Sequence, residues 1–340
     1  MHCHRERSAA ISHAGHQWVL FITGGCCSLQ SVPCSTDTEK VCPMSIESQI
    51  IQFLFTGIAL GSIYAMVALG FNIIYNSTGI INFAQGEFVM LGGLLMVWLS
   101  VALGLPMPLA FILTVAAVMA VGALFERLAI YPLKKAPVLI LIIITLAGSI
   151  IFKGGAMLVW GKQTYSLPHF SSEQPIELLG ATILPQTFWI VGFLLAVVAL
   201  LAFFFNCTMM GKAMRACSFN PTAASLVGIN VRRIVLLSFA ISAAIGAIAG
   251  IVFTPVVLME YDRGTMLALK GFCVAVLGGL GNAMGAVVAG MLVGILESFG
   301  AGFISSAYKD AIALLALLLV LVIKPSGLLS RSEASRLKDF

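Results

Sequence analysis

The amino-acid sequence predicts an all-α protein, a polytopic transmembrane helical bundle of about eight to nine spans with broken or re-entrant segments among them. Hydrophobic residues make up 60% of the 340 residues, charged residues only 10%, and the mean hydropathy is +1.04. Ordinary soluble domains carry about 25% charged residues. The apolar runs are also long and lack the alternation of a barrel strand, so they predict helices that satisfy their own backbone in lipid.

Residues 1–43 differ in composition from the rest of the chain. They hold four of the five histidines and five of the eight cysteines, but the spacing matches no standard zinc pattern. Their longest apolar run, Trp18–Ile22, is too short for a signal peptide. We expect a non-family N-terminal extension, either disordered or translated from a start codon too far upstream, with the working protein beginning at Met44.

From Gln49 onward, about nine apolar runs have the length that a bilayer-crossing helix needs. They lie at residues 49–74, 78–99, 107–127, 138–160, 187–206, 233–256, 265–281, 284–304 and 308–323. The seventh run is short for a crossing, so the sequence leaves the number of spans at eight or nine.

Basic residues between these runs collect on one side of the predicted membrane. They are Arg127, Lys134 and Lys135 in one loop, Lys212, Arg215, Arg232 and Arg233 in another, and Lys324, Arg331, Arg336 and Lys338 near the end. The positive-inside rule makes that side the cytoplasm, with the tail 331–340 and the C-terminus inside. Because the basic residues are spread along the chain and form no single basic face, they do not indicate nucleic-acid binding.

The run at 78–99 contains the polar sequence Gly79-Ile-Ile-Asn-Phe-Ala-Gln-Gly-Glu87. On a continuous helix it would place Asn82, Gln85 and Glu87 near the bilayer centre, where an ionisable group costs about 2.5–3.5 kcal/mol on insertion scales. Such groups face the bundle interior or a wet cavity and often mark functional sites. We expect the three side chains to line a substrate pathway; the alternative is that Glu87 makes an inter-helix hydrogen bond that only fixes packing.

Glu297 is a second carboxylate inside a predicted span. It follows a Gly-rich stretch, Gly278–Gly285 with Gly290 and Gly294, whose small residues permit close helix packing. Two Gly-interrupted segments, one in each half and each followed by a carboxylate, fit repeats whose broken helices line a substrate site. Glu297 therefore joins the predicted pathway, although residue identity alone demonstrates no repeat.

The loop at 211–230 contains the signals of a short helix. Asn220 can cap its start, Pro221 suits its first position, and Gly228 suits the left-handed position that ends it. The helix would have about seven residues and be roughly 10 Å long. It would be either rigid enough to pass force from a partner chain or a plain surface connection.

No catalytic or nucleotide-binding motif occurs in the sequence. Asn206 stands where the first glycine of a phosphate-binding loop is needed before Gly211-Lys212, and Met284 ends a mismatched dinucleotide fingerprint. The metalloprotease motif His-Glu-x-x-His and the hydrolase motif Gly-x-Ser-x-Gly are also absent. We therefore expect no enzymatic activity, no cofactor and no metal in this chain, with ATP hydrolysis on partner chains.

Four stretches in order resemble LivH-type permease subunits of branched-chain amino-acid ABC importers. They are Gly57–Asn72 continuing through Ile80–Glu87, then Arg215–Asn230, then Val276–Gly285 running on to Glu297, and Lys324–Leu328. The resemblance covers about Met44 to Leu329 and implies an ABC importer transmembrane permease domain over residues 44–330.

The resemblance implies a subunit of the bacterial inner membrane that moves a branched-chain amino acid inward by alternating access. The implied partners are a second, LivM-like permease subunit, two ABC ATPase subunits and a periplasmic substrate-binding protein, all acting at the lipid bilayer. Residues 220–228 would be the helix that couples the permease to an ATPase. The coupling residues would be Asn220, Pro221, Ala223, Ala224, Leu226 and Gly228. The family usually has an acidic residue where this chain has Asn220, which still caps the helix but removes a charge that could pair with the ATPase.

Three alternatives remain at the level of sequence. Relatives of the family carry urea or short amides, so an importer of those solutes is the nearest alternative. A self-contained secondary carrier or channel is the second. A membrane-embedded enzyme is disfavoured because the buried polar groups offer no paired nucleophile and base.

Overall fold

The computed structural model describes residues 46–133, 136–171, 174–178 and 181–303, with isolated positions between 305 and 322. Within these ranges the chain forms ten α-helices and one short antiparallel hairpin. The helices are α1 (Ile46–Thr78), α2 (Gln85–Val97), α3 (Met107–Phe125), α4 (Val138–Trp160), α5 (Gln186–Cys207), α6 (Met209–Phe219), α7 (Pro221–Leu226), α8 (Val231–Phe253), α9 (Arg263–Gly278) and α10 (Ala283–Phe303). The strands are β1 (Ile176–Leu178) and β2 (Ala181–Ile183).

Seven helical stretches in the described ranges are long and apolar enough to cross a membrane. They are α1, α2 extended by a wide π-type turn to Ala102, α3 extended to Leu133, α4, α5, α8 and α10. The predicted all-α transmembrane bundle is confirmed, and the described ranges contain seven candidate spans where the sequence predicts eight or nine. Helix α9 has only 16 residues, which is short for a crossing, and the run at 308–323 is largely outside the described residues.

Two predictions fall on parts of the chain that the structure does not describe. The extension at 1–43 and the tail at 331–340 both lie outside the described ranges. They therefore stay predictions.

Helix α1 lies at the centre of the bundle and packs against α8, α9 and α10. Its contact with α10 is very close because glycines face each other. A Cβ added at Gly294 would come within 2.3 Å of the Gly61 nitrogen, and one added at Gly61 within 2.7 Å of the Gly290 oxygen. Without side chains at these positions the two backbones touch, which is the small-residue packing that transmembrane helices use.

Helix α4 shows the opposite character, since it turns large apolar side chains outward. Leu158 is 84% exposed and Ile150 and Ile151 are each 71% exposed. Exposing such an apolar surface to lipid costs no free energy, whereas exposing it to water is unfavourable. After α4, Tyr165 and Met259 exchange backbone hydrogen bonds of 2.8 Å, which join the α4–α5 loop to the segment between α8 and α9.

Candidate functional site

A break in the helical path separates α1 from α2. Gly79 has φ +68, a left-handed conformation that glycine adopts without strain. Asn82 then builds the turn that restarts the helix, because its Oδ1 accepts from the Ala84 nitrogen (3.1 Å) and its carbonyl accepts from the Gln85 nitrogen (3.1 Å). The expectation of one continuous helix over 78–99 is wrong at residues 79–84. Asn82 lies in the break, and only Gln85 and Glu87 lie on the helix.

The start of α2 lies at the level of the bilayer centre. Gln85 Nε2 donates to the Ser242 carbonyl at 3.1 Å, and the Ser242 hydroxyl donates to Gln85 Oε1 at 2.6 Å. Ser242 is the central residue of the 23-residue helix α8, and Ser149, which contacts Glu87, is the central residue of the 23-residue helix α4. A helix of that length is about 35 Å long and just spans the hydrocarbon core. Its central residue therefore marks the middle of the membrane.

Glu87 is completely buried where three helices meet. Its Oε1 accepts from the Ser149 hydroxyl of α4 at 2.9 Å and from the Thr265 hydroxyl of α9 at 3.2 Å. The carboxylate lies in the first turn of α2 and beside the first turn of α9, where helix dipoles favour negative charge. A Cβ on Gly264 would come within 2.6 Å of Glu87 Oε2, so glycine is what lets α9 approach the carboxylate so closely.

Two buried polar atoms at the start of α2, Glu87 Oε2 and Asn82 Nδ2, have no hydrogen-bond partner among the described residues. Buried polar groups are nearly always paired, so unpaired ones call for an explanation such as a ligand or solvent. The start of α2 therefore offers one acceptor and one donor at the bilayer centre.

Glu297 lies apart from this cluster and is already paired. Its Oε1 is 2.7 Å from the Lys270 ammonium and accepts from the Tyr64 hydroxyl at 3.2 Å. Lys270 Nζ also lies 2.7 Å from Asp310. The four residues join α1, α9 and α10 to the chain beyond α10. Glu297 Oε2 is a further buried acceptor without a partner among the described residues.

Helix α9 separates the two carboxylates. Thr265 holds Glu87 and Lys270 holds Glu297, and five residues of α-helix turn through roughly 140°. Asn82, Gln85 and Glu87 thus lie close in the chain at the start of α2, but Gln85 binds α8 while Glu87 binds α4 and α9, and Glu297 lies against another face of α9.

Lys153 and Asp262 form a second contact between α4 and the start of α9. The Lys153 ammonium pairs with the Asp262 carboxylate and lies 5.9 Å from the centre of the Tyr261 ring. The side chains of Lys153 and Asp262 are 34% and 52% exposed, respectively. Because Lys153 is four residues after Ser149, it lies on the same face of α4, one turn further along.

The predicted short helix is present as α7. Asn220 Oδ1 accepts from the Ala223 nitrogen at 3.0 Å, Pro221 is its first residue, and Gly228 has φ +90 just after its end. The preceding helix α6 has no counterpart in the prediction; Thr208 caps it by accepting from the Gly211 nitrogen at 3.0 Å.

The corner between α6 and α7 exposes a patch of apolar side chains. Phe219, Leu226 and Val227 are 79%, 84% and 83% exposed, and a shallow cavity of about 280 Å³ lies between the two helices. Of the residues predicted for coupling, Ala224 is buried and Asn220, Pro221, Ala223, Leu226 and Gly228 are exposed. Phe219 and Val227 extend the predicted set. An exposed apolar patch outside the spans is typical of a protein interaction site.

The α6–α7 corner shares one side of the bundle with the end of α3. The Arg232 guanidinium, at the start of α8, lies 3.9 Å from the centre of the Tyr131 ring, and that of Arg127 lies 5.0 Å away. Two of the basic loops therefore meet on the same face, as the charge distribution of the sequence predicts.

A family model described as "Branched-chain amino acid transport system / permease component" matches residues 53–321. The chain belongs to this permease family. LivH, the high-affinity branched-chain amino acid transport system permease protein of Escherichia coli (strain K12), is 35% identical over 308 residues, which cover 84% of this chain and 97% of LivH. BraD, the corresponding permease protein of Pseudomonas aeruginosa, is 32% identical over 305 residues, with the same coverage of both chains. A probable LivH of Methanocaldococcus jannaschii is 29% identical and covers 80% of this chain and 90% of its own.

Among solved structures, PsaBC from Streptococcus pneumoniae in complex with Fab is similar over 86% of this permease and 95% of that chain. The identity is 16% and the TM-score is 0.41.

Two lysines of this permease, Lys153 and Lys270, are not among the residues that its sequence motifs single out. Each is a cation inside a predicted apolar run, 138–160 or 265–281. A cation in a span is as unusual as a carboxylate and needs a partner there. That signal is visible in the sequence, but which anion each lysine meets depends on tertiary packing.

Proposed function

We propose that this permease is the translocation subunit of an ABC importer that moves a branched-chain amino acid inward by alternating access. The observation that carries the proposal is the break at 79–84, which presents Asn82, Gln85 and Glu87 to the bundle interior at mid-membrane depth. Irregular backbone at that depth is tolerated where it is buried in protein or lines a cavity. Support for the cargo comes from relatives named as high-affinity branched-chain amino acid transport permeases.

The proposed assembly contains a second, LivM-like permease, two ATPase subunits and a periplasmic substrate-binding protein. It lies in the bacterial inner membrane, with the C-terminus in the cytoplasm. Basic residues around Tyr131 and along the α6–α7 corner support that orientation, because cytoplasmic loops carry the excess of Lys and Arg.

The α6–α7 corner is the proposed contact with an ATPase. Its apolar side chains are exposed outside the spans, and four residues, 227–230, connect α7 to α8. Helix α8 in turn carries Ser242, whose side chain and carbonyl hold Gln85 at the start of α2. A short connection and about 18 Å of α8 therefore link the cytoplasmic patch to the polar break.

The reconstituted complex tests the function. We expect proteoliposomes that contain this permease, its partner permease and both ATPases to accumulate leucine when supplied with ATP and the loaded binding protein. Uptake of leucine by the purified chain alone on an ion gradient would instead identify a secondary carrier. Uptake of urea or a short amide in place of leucine by the full complex would overturn the proposed cargo.

Replacing Leu226 with Asp tests the coupling surface. Removing an exposed apolar contact and adding a charge at the centre of an interface should lower leucine uptake roughly tenfold or more, since such anchors contribute about 2 kcal/mol or more. ATP-driven uptake and the amount of ATPase that copurifies with the permease are the measurements. Met209→Asp is the matched control, because Met209 is 82% exposed on the neighbouring helix. Equal loss in both variants, or full uptake in Leu226→Asp, would count against α7 as the coupling element.

A further inference from the structure

Two contacts, one helical turn apart, join α4 to the start of α9. In the first, Glu87 of α2 accepts from both Ser149 and Thr265. In the second, Lys153 pairs with Asp262. Ser149 and Lys153 are four residues apart on one face of α4, which corresponds to about 6 Å along the axis. The contact between α4 and the start of α9, which we call the seam, thus contains the Glu87 carboxylate and, one turn further along, the Lys153 ammonium.

Glu87 and Lys153 differ in how many of their hydrogen-bonding positions are occupied. Glu87 is completely buried, and among the described residues its Oε2 has no hydrogen-bond partner. Lys153 has three donors on its ammonium, of which the hydrogen bond to Asp262 uses one. Its side chain is 34% exposed, in contrast to the complete burial of Glu87. The buried end of the seam offers an acceptor, and the open end offers donors.

We propose that Glu87 and Lys153 form a recognition site for the zwitterion of an α-amino acid, with Glu87 accepting the ammonium group and Lys153 donating to the carboxylate. This inference rests on the proposed importer function and names the residues that would bind the two charges of its cargo. A zwitterion loses hydration when it enters the membrane, and two opposite charges held about one turn apart compensate both of its ends. Urea or a short amide has neither end, so this pair would give it no charge-assisted bond.

The proposed positions of Lys153 and Glu87 across the membrane fit inward transport. The end of α4 lies on the side opposite the basic loops, so Lys153 is nearer the periplasm and Glu87 nearer the cytoplasm. An arriving amino acid would meet the lysine first and reach the buried carboxylate one turn deeper.

Leucine uptake by the full reconstituted complex, measured for charge variants of the seam, tests the pair. We expect Lys153→Met and Glu87→Gln each to lower uptake roughly tenfold or more, the effect of losing a hydrogen bond to a charged group. Lys153→Arg should stay within about threefold of wild type because the cation remains. ATP hydrolysis stimulated by the loaded binding protein should persist in Lys153→Met, which a general folding defect would abolish.

Variants of Asp262 separate recognition of the cargo from a merely structural ion pair. If Lys153 binds cargo, Asp262→Asn keeps uptake within about threefold of wild type, and Lys153→Met/Asp262→Asn is as inactive as Lys153→Met alone. If Lys153 serves only Asp262, the two single variants behave alike and the double variant recovers, which would overturn the inference. Lys162→Met, an exposed lysine outside α4, is the control for charge alone and should transport normally.

The experiment also distinguishes failure of this inference from failure of the proposed function. A wild-type complex that accumulates no leucine would remove the proposed cargo and the zwitterion site with it. An active wild type together with a fully active Lys153→Met would remove only the zwitterion site.

Discussion

Replacing Lys270 with Met should destabilise the folded permease by about 3–5 kcal/mol, because the substitution leaves Glu297 buried without its cation. The Glu297 side chain is 3% exposed and that of Lys270 is 13% exposed, so water cannot take the place of the ammonium. Tyr64 would still donate to Glu297, but a neutral hydroxyl does not balance the charge. Thermal unfolding of the purified permease in detergent measures the loss.

Two further variants make this prediction specific. Lys270→Met/Glu297→Met removes both members of the buried pair and should recover much of the lost stability, since an apolar pair of similar volume often replaces an ion pair at little cost. Arg263→Met breaks the more exposed 2.8 Å pair with Glu260 and should cost at most about 1 kcal/mol. A Lys270→Met protein that unfolds at the wild-type temperature would show that Glu297 does not depend on this cation.

Replacing Gly294 with Leu should separate α1 from α10 and cost about 3 kcal/mol or more, because overpacking against backbone cannot be relieved by a side-chain rotation. A Cβ at this position alone would come within 2.3 Å of the Gly61 nitrogen and 2.4 Å of the Gly57 oxygen. Neither atom moves unless a whole helix moves. The yield of folded protein in detergent and its unfolding temperature are the measurements.

Gly192→Leu provides the matched control. Gly192 lies on α5, and a Cβ added there would meet nothing within 4 Å. The same glycine-to-leucine change should therefore leave folding intact, and at a helix position it can add a little stability. Equal damage in both variants would mean that leucine harms these helices for a reason other than the contact between α1 and α10.

Hydropathy and helix-end signals were sufficient to predict much of the fold. Runs of about 20 apolar residues locate α3, α4, α5, α8 and α10, because the membrane itself sets that length. The caps at Asn220 and Gly228 are local, since their partners lie within a few residues, and α7 begins and ends where they predict.

The break between α1 and α2 is the feature that the apolar pattern hides. Residues 79–84 are as apolar as a helix interior except for Asn82, and hydropathy cannot distinguish a helix from an irregular segment of the same composition. What holds the break open is non-local: the Phe83 nitrogen donates to Thr145 at 3.2 Å, and Gln85 contacts Ser242. Such partners, 62 and 157 residues away, follow only from the packed structure.

In the candidate site, too, local sequence signals identify the residues, and tertiary packing decides their partners. Polarity inside an apolar run marks Glu87 and Glu297, and the same rule applied to cations marks Lys153 and Lys270. Which of these charges pair is decided by how the short helix α9 passes between α2 and α10. The sequence predicts Glu87 and Glu297 as equivalent members of one pathway, whereas the structure gives Glu297 a cation, Lys270, and gives Glu87 only the hydroxyl donors of Ser149 and Thr265.

The dependence of the break on α4 also bears on how the chain is made. While a ribosome is still synthesising residues before 145, the amide of Phe83 has no hydroxyl to receive its hydrogen bond, and lipid offers none. The break therefore reaches its final hydrogen bonding only after the fourth helix has emerged and packed against it.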